Sequence, residues 1–281
     1  MKNDRDGASH VAPVSPRSGF SQIATIAENA GDSPPAGLAR HTYALTLLGG
    51  LRVNSHTDLP ANAALKIAAF VTLYGPTSRS RIAGQLWPEV GQGRALGNLR
   101  SGLWKMRRTH PGLVAAAHDE VILGQDVAVD VRRISALIAE LLESTSPYVP
   151  AGADALLTAG ELLPEWDDDW VVVERQRLEN LRLAALDELA RRYLAARRET
   201  HALRTCDVAL SLDPLRETAL DLAIRALLAQ GNLAAAHDIY ARFARALHDE
   251  LGVRPGRQLW ASLSAAVAAR DAEPMAEERS L

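Results

Sequence analysis

Between Leu96 and Arg108 the sequence reads LGNLRSGLWKMRR, four basic residues and no acid in thirteen. On a helix turning about 100° per residue, Leu96, Leu99, Leu103 and Met106 share one arc at spacings of 3, 4 and 3, a stripe to be buried. Arg94, Asn98, Ser101, Lys105 and Arg108 fall opposite, and Arg100, Trp104 and Arg107 line one shoulder. These side chains suit a duplex: Arg and Lys donate to guanine O6 and N7, and Asn pairs bidentately with adenine. Ser and the shoulder arginines suit phosphates, which set register rather than read sequence. By itself the pattern also fits an ordinary amphipathic helix with a solvated basic face. Gly97 and Gly102 each cost about 1 kcal/mol against alanine in a helix, so either they permit close packing or the helix frays until it is bound.

Other chemistry finds little support. The three lysines, Lys2, Lys66 and Lys105, follow no glycine, so no phosphate-binding GxxxxGK[ST] loop exists. HExxH and GxSxG are absent. One cysteine, Cys206, allows neither an internal disulfide nor a cysteine-cluster zinc site, and a small buried side chain is expected there. Asp167–Asp169 cannot face one ion from a regular helix; they read as the acidic start of a helix, with Trp170 a core anchor. The expectation is a chain without catalytic activity, cofactor or metal.

The elements around the basic stretch can be read in turn. Residues 1–39, rich in Gly, Ser and Pro, read as a disordered tail. TYALTLLGGLRVN reads as a hairpin about Gly49-Gly50. A helix follows over Asn62–Tyr74, stopped by Gly75-Pro76. A second starts after Thr77 or Ser78 and ends before Pro88, with Arg79 and Arg81 at its start placed for phosphate contact or plain exposure. The basic helix runs third, from about Gly93 to Thr109. LVAAAHDEVIL then gives two strands joined at His118-Asp119, and VAVDV a further strand. Hairpin, three helices and closing hairpin make the order of a winged helix, and that position turns the odds for the basic face toward DNA.

Beyond Val131 the pattern is helical and repeats at 34 residues: Asp187–Arg191 matches Asp221–Arg225, Ala202 matches Ala236, and Cys206 matches Tyr240. That is the tetratricopeptide period, with Trp170–Ala190 expected to supply part of another unit. Charge divides the same way. Residues 40–130 hold ten Lys/Arg against six Asp/Glu, and residues 131–281 eighteen against twenty-four. Different partners for the two halves are implied. No apolar run spans a bilayer and no secretory signal is evident, so a cytoplasmic protein is expected, without membrane contact.

LLGGLRV, TSRSRIAGQLWPE, RALGNLRSGLWKMRR and PGLV resemble the winged helix of SARP-type (antibiotic regulatory protein) activators. LLPEWDDDWVVVERQRLENL, LDPLRETAL and ALHDELGVRPG resemble the bacterial transcriptional activator domain that follows it. The resemblance covers about residues 41–268. It implies an α+β fold: an OmpR-type winged helix over 40–131, then an all-α, tetratricopeptide-like domain over 132–270, with a flexible tail at 271–281. It further implies a nucleoid-associated activator binding repeated operators in double-stranded DNA, often before genes of secondary metabolism. The helical half is expected to serve dimerisation into a homodimer, polymerase contact or signal response. Arg94, Asn98, Arg100, Ser101, Lys105, Arg107 and Arg108 match its recognition helix, while Trp87-Pro88-Glu89 begins the loop that meets RNA polymerase. The hairpin tip, AAAHDE, departs from the pattern: it has two acids and no arginine for a minor groove. The 39-residue tail is too short for a phosphoacceptor domain. The rival expectation is a tetratricopeptide adaptor whose winged helix binds protein.

Overall fold

The structure is a computed structural model, and it describes residues 43–54 and 63–272. The expected disordered tail and residues 273–281 of the expected flexible tail lie outside these residues, while residues 271 and 272 end the last helix. Strands β1 (Tyr43–Thr46) and β2 (Arg52–Val53) form the first hairpin, with Leu45 opposite Val53. Helix α1 (Ala63–Tyr74) is buried on nearly all sides, as its apolar content requires. A short strand β3 (Thr77–Ser78) leads into α2 (Arg79–Leu86), whose N-cap is Ser78. Helix α3 (Gln92–Thr109) carries the basic stretch. Strands β4 (Val114–Ala117) and β5 (Glu120–Leu123) close a second hairpin, and β3 joins it by pairing with β5.

The VAVDV strand is shorter than expected. Strand β6 (Val127–Val129) runs parallel to β1, and α4 (Asp130–Glu143) begins at once. Asp130 explains the switch. Its carboxylate accepts the backbone N–H groups of Leu47 at 3.0 Å, Leu48 at 2.9 Å and Val131 at 2.7 Å. It thereby binds the start of α4 to the end of β1.

The rest is helical: α5 (Ala155–Thr158), α6 (Asp169–Ala195), α7 (Glu199–Leu212), α8 (Glu217–Ala229), α9 (Leu233–Leu251) and α10 (Arg257–Ala272). The short α5 and the last helix carry none of the residue pairs that marked the 34-residue period. The 34-residue period is realised to the residue. Leu183–Ala195 of α6 lies 34 before α8, and α7 starts 34 before α9. Ala202 and Ala236 are both fully buried, as a shared packing position demands. Asp187 binds the Arg216 guanidinium at 2.7 Å, whereas its repeat partner Asp221 pairs with Arg225 within its own helix.

One expectation needs correcting. The first turns of α6 do not belong to a helical repeat: Trp170 and Val171 are buried with Phe70 in the core of the N-terminal half. Trp170 meets Phe70 edge-on, with ring centroids 5.2 Å apart. The N-terminal core thus extends past the boundary expected at Val131, taking in Leu162, Leu163 and Trp166 as well. Backbone bonds hold this segment down, from Leu163 N–H to the Leu47 carbonyl and from Gly49 N–H to the Glu161 carbonyl. The acidic start of α6 is as expected, with Asp168 the N-cap and Asp169 in the first turn, although Asp168 makes no side-chain cap bond. Its carboxylate instead takes Lys66 of α1 at 2.6 and 2.8 Å, so the acid ties the two halves together.

Cys206 is buried among Ala190, Leu222 and Ala223. Burial, with Asp187 and Asp207 nearby, pushes its thiol pKa up to about 12. Because the thiolate is the nucleophile, a maleimide at pH 7.5 is expected to leave the native protein unmodified and to label it once urea unfolds it. Rapid labelling of the folded protein would contradict this packing.

Candidate nucleic-acid interface

Helix α3 keeps its period, but the buried stripe is not the one its leucines mark. Ala95, Leu99, Gly102 and Met106 are buried, at spacings of 4, 3 and 4, while Leu96 and Leu103 are only half buried. The helix is therefore turned by roughly 50° from the expected orientation. The cause is α1. A Cβ placed on Gly102 would stand 2.6 Å from Ile67 Cδ1 and 3.5 Å from the Ala63 backbone. Small residues at 95 and 102 let the two helices approach closely, and that contact decides which side of α3 turns inward.

Gly97 behaves differently. Only the Arg100 guanidinium comes within 4.0 Å of its would-be Cβ. The two glycines thus predict opposite outcomes. Gly102→Leu overpacks the α1–α3 contact and should lose about 1–3 kcal/mol. Gly97→Ala should gain up to about 1 kcal/mol from helix propensity. Urea unfolding of both variants checks the pair, and a neutral Gly102→Leu would refute the close approach.

The rotation also reorders the basic face. Arg94, Arg100, Ser101, Lys105, Arg107 and Arg108 are exposed. Asn98, expected to point outward, is half buried on the flank. The outward centre falls instead among Gly97, Ser101, Trp104 and Arg108. Trp104 is 61% exposed, with the Arg108 guanidinium over its ring at 4.8 Å. Sequence reasoning left Trp104 on a shoulder and outside the site; its four-residue spacing from Arg108 was the available signal. Ser101 Oγ donates back to the Gly97 carbonyl at 3.1 Å, which leaves its oxygen free to accept. Among the described residues no ion pair engages Arg94, Arg100, Lys105, Arg107 or Arg108, and α3 holds no acid.

The flanks fix this helix in place. Tyr43 Oη donates to the Pro111 carbonyl at 3.1 Å, tying the end of α3 to β1. Arg81 is exposed at the first turn of α2, but Arg79 is neither a free cation nor simply solvated. Its side chain is half buried, its Nε is buried without a partner, and its backbone N–H donates to the Asp119 carbonyl at the tip of the β4–β5 hairpin. That tip is exposed, with His118 in the left-handed region at φ 52° and Asp119 and Glu120 beside it. Trp87 packs partly against the N-terminal core, while Glu89 is exposed in the loop before α3. No group of metal-ligating side chains is found among the described residues, and no described helix is long and apolar enough to cross a membrane.

Comparison with known proteins bears on both halves. A search of the curated proteins gives no match. Among solved structures, that of Mycobacterium tuberculosis EmbR in complex with a low affinity phosphopeptide is similar, with a TM-score of 0.58 and 21% identity. The likeness covers 81% of this chain and 65% of the EmbR chain, so this chain spans less than two thirds of EmbR. At that identity it is a likeness of fold alone. A family model matches the helical half, beginning one residue before α4. Residues 129–267 are thus similar to the bacterial transcriptional activator domain.

Proposed function

We propose that this protein is a sequence-specific, DNA-binding transcriptional activator of the antibiotic regulatory type. Residues 40–131 act as a winged helix that lays α3 in the major groove, and residues 132–270 act as the bacterial transcriptional activator domain. One observation carries the reading. Helix α3 presents five cationic side chains that no described acid neutralises, around an exposed tryptophan, on an acid-free helix held rigidly at its back by α1. Arg192 and Arg216, which hold the helical half together, are by contrast paired with Glu188 and Asp187. Unpaired cations on one face are what phosphates require.

In this reading Arg94, Lys105, Arg107 and Arg108 hold phosphates. Arg100 and Ser101, near the outward centre, reach base edges, and Asn98 reads from the flank. Arg81 adds a backbone contact from the start of α2, while Arg79 supports the hairpin. The acidic hairpin tip stays out of the minor groove. Glu89 and the edge of Trp87 form the contact with RNA polymerase, and the helical half joins two copies on repeated operators. No reaction is assigned to the protein.

Selection of bound sequences from a random duplex pool tests the proposal. Enrichment of one repeated motif by the full chain is the expected result. A folded protein that enriches no motif would defeat it and favour an adaptor, a reading to which the two acids at the hairpin tip would then give weight.

A further inference from the structure

A cleft of about 390 Å³ lies where the two halves meet, far from the basic face in sequence and built from other elements. Its walls come from the turn after β1, from α4 and α5, and from α6 and α7. Leu48, Leu157, Leu178, Val208 and Leu212 line it with side chains left half buried. The volume is that of small-molecule sites, which pair apolar walls with a few polar groups.

One polar group stands out. Arg182 is only 8% exposed, yet its guanidinium makes a single hydrogen bond among the described residues, from Nε to the Leu156 carbonyl at 2.9 Å. Its other N–H donors have no protein acceptor. No Arg182 nitrogen is both buried and without a partner, so these donors are open to the cleft. Burial of the rest of the side chain disfavours the charged form, which Glu179 nearby supports. The other arginine of the cleft is not in this state. Arg175 is occupied by the carbonyls of Leu162, Leu163 and Trp166 and by Glu161.

We infer that the cleft is a binding site for a small, largely apolar molecule bearing one carboxylate, which Arg182 receives through its unused N–H donors. Half-buried leucines and valine take the tail. Glu179 at the same cleft repels a second negative charge, so the site prefers a monoanion to a phosphate monoester. The site stands independently of any DNA contact by α3.

Calorimetric titration of the full chain with decanoate, 2-naphthoate, methyl decanoate and decyl phosphate tests this. At least one carboxylate should bind at one site per chain, with the ester and the phosphate at least tenfold weaker. Arg182→Met should weaken the carboxylate at least tenfold. Because that variant removes a buried hydrogen bond, Ser211→Trp serves beside it: Ser211 is exposed at the rim, and the indole should block the cleft while the fold, followed by circular dichroism, persists. Failure of both carboxylates to bind would overturn the inference. So would equal binding of the ester, or unchanged binding by folded Ser211→Trp.

Discussion

Arg192→Met is expected to lower the stability of the protein by about 3–5 kcal/mol, the range for breaking a buried, hydrogen-bonded ionic contact. Arg192 is 4% exposed and its guanidinium is nearly saturated. It donates to the carbonyls of Leu141 at 2.8 Å, Ser144 at 2.9 Å and Tyr148 at 2.9 Å, and Nε meets Glu188 at 3.0 Å. One side chain of α6 therefore terminates α4 and fastens the irregular segment behind it. Methionine fills much of the volume but leaves three carbonyls and one oxygen of Glu188, whose other oxygen keeps Arg191, without their donor, at about 1–3 kcal/mol for each group that water cannot reach. Arg192→Lys should recover only part of the loss, because an ammonium cannot span carbonyls set apart by the planar fork. Urea unfolding of the three proteins measures this. A loss below about 1 kcal/mol for Arg192→Met, an exposed-pair value, would mean that the segment after α4 is held by something else.

The second large effect concerns α3 and rests on the proposed function. The triple variant Lys105→Ala, Arg107→Ala, Arg108→Ala should bind the preferred duplex on the order of several hundredfold more weakly at about 0.1 M salt, and flatten the dependence of log K on log salt by about 3. Folding should hardly change, since all three side chains are exposed and none is in an ion pair among the described residues. Within the protein, the substitutions take away the stacking of Arg108 over the exposed Trp104 ring. Titrations of parent and variant at four salt concentrations decide the matter. Parallel salt slopes would remove these residues from a phosphate interface, however basic the helix.

The element order from residue 43 to Leu251 was largely legible because it depends on local signals. Gly75-Pro76 and Pro88 stop helices whatever surrounds them, Ser78 caps α2, and His118-Asp119 turns the second hairpin. The 34-residue spacing was equally plain, since each repeat must bury the same positions, and Ala202 and Ala236 do. The burial of Cys206 followed from its spacing along its own helix, while its repeat partner Tyr240 is only half buried.

What the sequence by itself determined was therefore the set of elements, their period and the collection of cations on α3. The tertiary structure alone decided which way α3 faces, because Gly102 reveals its use only when Ile67 arrives against it. Ranking residues by hydrophobicity selects Leu96 and Leu103, whereas close packing rewards the smallest side chains at a helix crossing. That moved Asn98 to the flank and Trp104 to the front. The fate of residues 161–171 was hidden for the same reason. Nothing local distinguishes Trp170 of a helical repeat from Trp170 against Phe70, and nothing local tells Asp168 to take Lys66 rather than cap its own helix. Partners a hundred residues apart are chosen by the packing of the whole chain, so the join between the halves, and the cleft that Arg182 overlooks, existed only once both had folded together.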